Sequence, residues 1–298
     1  MEFKQLAIKM NSQSCVACKG IMINKAKIPD GILFVCENCN SKRILIENIN
    51  QLKKANIYGH SYREKLKPQK VSSLLKIFYE NISGVNSQCE ILDIGCGDGA
   101  FIKKLINDGQ TVSGLECYSL EVDHLMAEGL NVYSGELGEK IDISKNFNIV
   151  TLWDVIEHID NVEIAMSQLS SLVKKDGKIF ILTPDSESIF DLFATLEKRL
   201  TLNKSQRVMN ICLNRYHLNR FSLTGLEILL KRFGFTLDHS ERLQLFSLQE
   251  NEYMDGFAPG IKRWTNNTSI NEFLSRSAIT LIKYFNITNK IFVTAIKT

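Results

Sequence analysis

A chain of 298 residues, 44% hydrophobic and 23% charged, is ordinary globular material, long enough to bury one large core with a smaller unit beside it. No apolar run approaches the roughly 20 residues needed to span a bilayer, and residues 1–14 lack the apolar centre of a secretory signal, so the expected compartment is the cytoplasm. The net charge of +3 is uneven: residues 1–89 hold 14 Lys and Arg against 6 Asp and Glu, a net +8, which leaves −5 for the rest. A basic front third suits an anionic partner such as RNA or a phosphate-bearing carrier; a solvated basic surface with no dedicated partner is the plainer alternative.

Taken in order, the chain first presents Cys15-x2-Cys18 and Cys36-x2-Cys39, two knuckles separated by 17 residues, the spacing of a tetrahedral structural zinc site. Ile21, Met22 and Ile23, and then Ile32, Leu33, Phe34 and Val35, read as short strands on either side of the turn Pro29-Asp30-Gly31. A zinc ribbon over residues 1–46 is expected. Disulfides are the competing reading, but they need an oxidising compartment that a chain without a secretory signal does not reach. Four protein ligands leave the metal no open position, so its role would be folding rather than catalysis. Cys89, Cys96, Cys117 and Cys212 show no paired spacing and read as buried or incidental thiols. Residues 47–87 turn helical, with Val71, Leu74, Leu75, Phe78 and Tyr79 on one stripe of a connecting helix.

An α/β pattern begins at residue 88 and occupies the remainder, with insertions near residues 186–216 and 241–288. Residues 90–102, EILDIGCGDGAFI, run from a buried strand through Gly95, Gly97 and Gly99 into a helix. Such a turn offers backbone N–H groups and a helix N-terminus to a ligand. The glycines alone also satisfy the dinucleotide pattern G-x-G-x-x-G/A, but Asp93, two residues before Gly95, suits a ligand with positive charge better than a pyrophosphate. A second strand over residues 111–116 ends in Glu116, 21 positions beyond Gly95, near the interval at which such folds place a carboxylate on ribose hydroxyls. Further strands are expected at 131–134, 147–153 and 178–182, with a helix over 164–173 and a break at Lys175-Asp176-Gly177. Alternation of this kind implies a parallel sheet covered on both faces, whose active edge lies beyond the strand C-termini. Residues 222–233 form a helix capped by Ser222 and stopped by Gly234, leading to a sixth strand at 235–237.

Residues 90–102 resemble motif I of the class I S-adenosylmethionine (SAM) dependent methyltransferases, in which the acidic residue and the glycines cradle the amino-acid end of SAM. The resemblance covers roughly residue 88 to the end, and with Phe221 and the pair Gly234-Phe235 it extends into the last third. It implies a Rossmann-like doubly wound sheet of about seven strands, with residues 291–296 as a final antiparallel strand. It also implies a cofactor shell of Asp93, Gly95, Cys96, Gly97, Gly99, Glu116, Cys117, Glu136, Leu137, Trp153 and Asp154, with the adenine near Glu136 and Leu137.

Asp154-Val155-Ile156-Glu157-His158 follows the fourth strand, and His217 comes 59 residues after His158. If that segment turns helically, Asp154, Glu157 and His158 share one side. The arrangement resembles the quinone-biosynthesis O-methyltransferases and the small-RNA 2′-O-methyltransferases, in which an acid-x-x-Glu-His cluster and a distant histidine hold a divalent metal on the substrate hydroxyls. This chain has Asp154 where those groups usually have Glu. Three readings stay open: a Mg²⁺ or Mn²⁺ site, metal-free general-base catalysis by His158 or His217 oriented by Glu157, and a purely structural hydrogen-bonded loop. The function implied is SAM-dependent methyl transfer to a hydroxyl of a glycan, nucleotide-sugar or related small molecule. An RNA methyltransferase gripping its substrate through the basic ribbon, or a non-catalytic SAM-fold module, are the alternatives.

Overall fold

The computed structural model describes residues 12–28, 31–46, 66, 68–82, 89–188, 217–243 and 288–298. Pro29, Asp30, His60, Cys212, most of both insertions and Lys262-Arg263-Trp264 lie outside the described residues.

Near the N-terminus β1 (Ser12–Ser14), β2 (Ile21–Ile28), β3 (Gly31–Cys36) and β4 (Lys42–Ile46) form an antiparallel meander around the fully buried Cys15, Ala17, Met22, Phe34 and Cys36. A small unit of this size has little apolar area to bury, and its two cysteine turns supply the rest of its centre. The meander is not closed on itself. Its fifth strand, β10 (Asn219–Arg220), arrives from far along the chain and pairs antiparallel with β4, Asn219 opposite Arg43 and Arg220 opposite Lys42.

The second sheet has seven strands. They are β5 (Glu90–Ile94), β6 (Thr111–Glu116), β7 (Val132–Ser134), β8 (Phe147–Trp153), β9 (Val173–Pro184), β11 (Phe235–Leu243) and β12 (Lys290–Lys297), in the spatial order β11-β12-β9-β8-β5-β6-β7. From β7 to β9 every neighbouring pair is parallel, and β12 lies antiparallel to both β9 and β11, as the family likeness implies. The strand order reverses beside β5, which creates a crevice outside the strand C-termini. Phe147, Ile149, Val150 and Leu152 of β8 are buried because helices cover both faces.

Those helices are α1 (Pro68–Asn81), α2 (Ala100–Asn107), α3 (Ser119–Ala127), α4 (Val162–Leu172) and α5 (Leu223–Arg232). On the expected stripe of α1, Val71, Leu74 and Phe78 are buried while Tyr79 is exposed, and Phe78 meets Phe101 edge to face at 5.8 Å. Ser222 caps α5 as its sequence suggests, its Oγ accepting from Gly225 N at 2.9 Å, and Gly234 at φ 80° ends the helix in a left-handed turn.

Two strands run further than expected. The break foreseen at residues 175–177 is a bulge inside β9, with Asp176 at φ 61° where the pairing with β8 shifts register. The register tightens there because Gly177 lies against Lys174 O and Asn148 O, space that a side chain would fill. The sixth strand continues from Leu237 to Leu243 because β12 pairs along its whole length past a second bulge.

Candidate active site

At the C-terminal ends of β5 and β6 the chain builds a ligand cradle out of main chain. Ile94 lies opposite Leu115, and Gly95 N donates to Leu115 O at 2.7 Å, so the glycine turn sits directly against the end of the neighbouring strand. Gly95 has φ 70°, and a Cβ there would come within 2.6 Å of Val155 Cγ2. Gly97 has φ 54° with nothing within 4 Å of its Cβ position, which leaves an open approach to the backbone. Glu116 closes the turn: its Oε2 accepts from Gly97 N at 2.9 Å, and its Oε1 accepts from Cys117 N and Tyr118 N at 2.9 and 3.0 Å. Gly135 N donates to Glu116 O, which ties the Glu136-Leu137 loop to the same rim; Leu137 is buried there. Cys96 is also buried, whereas Cys117 is exposed.

Asp93 sits beneath this cradle, 2% exposed, with Thr151 Oγ1 donating to its Oδ1 at 2.6 Å. Burial raises its carboxyl to about 7 against the pull of the Thr151 bond, and the neighbouring Glu116 adds to the rise. A buried carboxyl with no cation paired to it among the described residues favours a ligand that brings positive charge.

One strand further along the rim, the residues after β8 gather differently. Asp154 has φ 58°, and a single 3₁₀ turn follows over Ile156–His158. Ligand atoms of Glu157, His158 and His217 lie within 4.8 Å of one another, so these three expected residues come together across 60 residues of sequence. The two imidazoles stand edge to face at 4.9 Å. Asp154 is not in this group. The segment does not continue as an α-helix, and the left-handed backbone at Asp154 turns its carboxylate instead to Lys70 of α1, at 3.2 Å, and to Lys290 at the start of β12. Burial opposes its ionisation, but Lys290 and Lys70 outweigh it and hold the Asp154 carboxyl well below the usual carboxylate range.

Glu157 is fully buried. Thr183 Oγ1 donates to its Oε2 at 3.0 Å, and Oε1 is buried with no hydrogen-bond partner among the described residues. Burial, helped by the Asp154 charge, pushes its carboxyl up to about 7 although Lys290 opposes the rise. His217 is held well below its ordinary value, first by burial and then by His158, Lys290 and Arg220, and its Nδ1 also lacks a partner. Trp153 adds a third orphaned buried atom, Nε1, with its ring stacked 6.2 Å from Phe292 and edge to face with Phe101 at 5.4 Å. An unpartnered oxygen beside the neutral His217 imidazole can accept a proton or help hold a divalent cation.

The four knuckle cysteines converge in the small sheet, their sulfurs within 4.8 Å of one another; Cys18 and Cys36 approach to 3.4 Å, Cys15 and Cys39 to 3.7 Å. Sulfurs bonded to each other would stand about 2.05 Å apart, and the observed spacing instead fits thiolates about 2.3 Å from a shared zinc ion. The hydrogen bond between Cys15 and Cys39 lowers the Cys39 thiol and raises that of Cys15, so the two sulfurs share a proton that a bound metal would displace.

Four residues near the site carried no signal in the sequence: Thr151, Thr183, Lys70 and Lys290. The strand registers reveal two of them, since Thr151 lies opposite Asp93 and Lys290 opposite Pro184. A lysine at the start of a last antiparallel strand is delivered to the carboxyl rim that the parallel strands share.

A family model described as a methyltransferase domain matches residues 29–240. Among similar proteins, a ubiquinone biosynthesis O-methyltransferase of Bartonella bacilliformis is 30% identical over 100 residues, 32% of this chain and 40% of that enzyme. Another, from Rickettsia bellii, is 26% identical over 150 residues, 46% of this chain and 62% of that one. The chain thus covers less than two thirds of the length of these relatives. Among solved structures, coclaurine N-methyltransferase bound to N-methylheliamine and S-adenosylhomocysteine (SAH) aligns with a TM-score of 0.51 at 14% identity, covering 78% of this chain and 72% of that one. Phosphoethanolamine N-methyltransferase 2 of Haemonchus contortus, in complex with SAM, aligns with a TM-score of 0.50 at 17% identity, covering 86% and 62%. These structures share the fold.

Proposed function

Since the chain belongs to the methyltransferase-domain family of class I SAM-dependent enzymes, we propose that it moves the methyl group of SAM to a hydroxyl of a small molecule or glycan. One observation supports this most: the open glycine cradle over buried Asp93 shares a strand rim with the group Glu157, His158 and His217, in which Glu157 Oε1 and His217 Nδ1 have no partner among the described residues. Bound in that cradle, SAM would supply an electrophilic methyl on a sulfonium. Gly95, Gly97 and Asp93 would hold its amino-acid end, Glu116 its ribose, and Glu136 and Leu137 its adenine.

On the acceptor side the chain's task is alignment and removal of one proton. His158 or His217 would take the hydroxyl proton while Glu157, fixed by Thr183, orients the imidazole. Lys70 and Lys290 pair with Asp154, which would then stand between cofactor and acceptor. A second reading, a Mg²⁺ or Mn²⁺ ion on Glu157, His158 and His217, draws on the orphaned Glu157 Oε1 and on the depressed basicity of His217, which suits a ligand better than a base.

A small acceptor is favoured over RNA because several ribbon cations are already bonded within the chain. Lys42 Nζ donates to Ser186 O at 2.6 Å, Arg43 pairs with Asp160 and Lys19 with Glu163. In the cysteine cluster we propose a structural zinc ion. Calorimetry with SAH, followed by an acceptor screen with methyl-labelled SAM in the presence of chelator, Mg²⁺ or Mn²⁺, tests the proposal. SAH binding that needs Asp93, with transfer to a hydroxyl, would support it. Capture of NADH in preference to SAH, or full SAH affinity in Asp93→Ala, would overturn it.

A further inference from the structure

The two histidines of the acceptor side are flanked, one residue downstream in each case, by segments that the cysteine ribbon holds. After His217, Leu218 O accepts from Ile44 N at 2.8 Å, and β10 is zipped to β4. Beyond it Ser222 N donates to Ser41 Oγ at 3.3 Å and Ser222 Oγ donates to Cys39 O. After His158, Ile159 O accepts from Asn219 Nδ2 at 2.6 Å. Arg43 closes the circuit. Its Nη1 donates to Asn219 Oδ1 at 3.2 Å, and its Nη2 donates to Asp160 O and Asp160 Oδ1 at 3.2 and 2.9 Å. One planar guanidinium therefore bridges the two chain segments whose preceding residues are His217 and His158.

The second cysteine knuckle anchors this bridge. Ser41 Oγ lies 3.3 Å from Cys39 Sγ and 3.4 Å from Ser222 Oγ, and the knuckle is pressed so closely on the first turn of α5 that a Cβ on Gly225 would meet Ser41 Oγ at 2.1 Å. Four sulfurs held in one place by a metal make β4 a rigid template. Without that tie the knuckle has little apolar core of its own to keep it folded. The other knuckle docks elsewhere: Arg232 donates to Val16 O and Ala17 O and pairs with Glu163.

We propose that Arg43 and the Cys36–Ser41 knuckle are positioning elements for His158 and His217, so that metal held by the four cysteines sets the geometry of the acceptor side. This rests on the acceptor-side reading above and extends it: the ribbon acts on the chemistry through β10 rather than by touching substrate.

The test uses the full chain labelled with [13Cε1]-histidine, the two resonances being assigned through His158→Asn and His217→Asn. Arg43→Gln is expected to shift or broaden the His158 and His217 signals while those of His124 and His239 stay in place. Stripping the metal with a mercurial and a chelator, under conditions that preserve SAH binding, is expected to move the same two signals. Arg232→Gln, which cuts the docking of the first knuckle, is expected to leave both in place. Unmoved His158 and His217 signals in Arg43→Gln and in the stripped protein would overturn the proposal, as would equal shifts in Arg232→Gln, which would mark a general docking effect. SAH calorimetry on the unmodified chain reads the methyl-transfer proposal separately, because cofactor binding does not depend on these signals.

Discussion

The two ends of the carboxyl rim are built on opposite principles. Around β5 and β6 the polar groups are main chain, contiguous in sequence and mutually satisfied, Glu116 alone accepting three backbone N–H groups. Around β8 and β10 the groups are polar and charged side chains from separate segments, and Trp153 Nε1, Glu157 Oε1 and His217 Nδ1 are buried there with no partner among the described residues. The first region is finished before any ligand arrives. The second leaves buried polar atoms that a bound ligand would satisfy, and native interiors rarely keep such atoms unpaired. Under the proposed function, backbone geometry would serve recognition and side chains assembled over long range would serve the chemistry.

The largest expected effect divides the two regions cleanly. His217→Ala and Glu157→Gln should each lower the rate of methyl transfer by about 10²–10⁴-fold while leaving SAH affinity unchanged. Rate and affinity falling together would merge the two regions into one. Gly95→Ala should act in the reverse sense. Its positive φ and the Val155 contact at 2.6 Å predict a loss of about 2–3 kcal/mol of stability, read by urea unfolding, together with weaker SAH binding.

A smaller effect concerns pH. Because the Asp93 carboxyl is raised to about 7, a cationic ligand binds its ionised form and drives off a proton. SAM affinity should therefore climb as pH rises toward 7, by up to about tenfold per unit below that value, with proton release visible as buffer-dependent enthalpy. Asp93→Asn should flatten the profile. In the ligand-free protein the sign is opposite. Asp93 and Glu157, both raised, contribute stability that is full below the ordinary carboxylate range and is lost as pH rises through about 7. A melting temperature for the free protein that is higher near pH 5.5 than near pH 8, with SAM narrowing the gap, would check this. The smallest effect belongs to Lys19→Ala, whose half-exposed pair with Glu163 should change stability by about 0–1 kcal/mol.

Much of the first region was legible from the sequence, because a strand, a glycine turn and a carboxylate at a fixed interval are local facts. The strands from β5 to β8 fall where their apolar runs lie, and Asp93, Gly95, Gly97 and Glu116 meet at one rim. Less of the second was legible. Glu157, His158 and His217 were singled out by spacing and resemblance, but the helical side expected to include Asp154 is absent, since a left-handed residue starts that turn. The lysines that claim Asp154 lie 84 and 136 positions away, beyond the reach of any periodicity. The pairing of β10 with β4 was likewise unreadable, because a two-residue strand leaves no pattern.

That pairing bears on how the chain is made. The outer edge of β4 waits for residues translated about 175 positions later, a delay of about 10–35 s at roughly 5–20 residues per second. Through that interval the nascent ribbon carries bare N–H and C=O groups open to any passing strand. Lys42 and Arg43, which later bond to Ser186 and Asp160, stand on that edge, and until their partners emerge from the ribosome their charge is what discourages aggregation there.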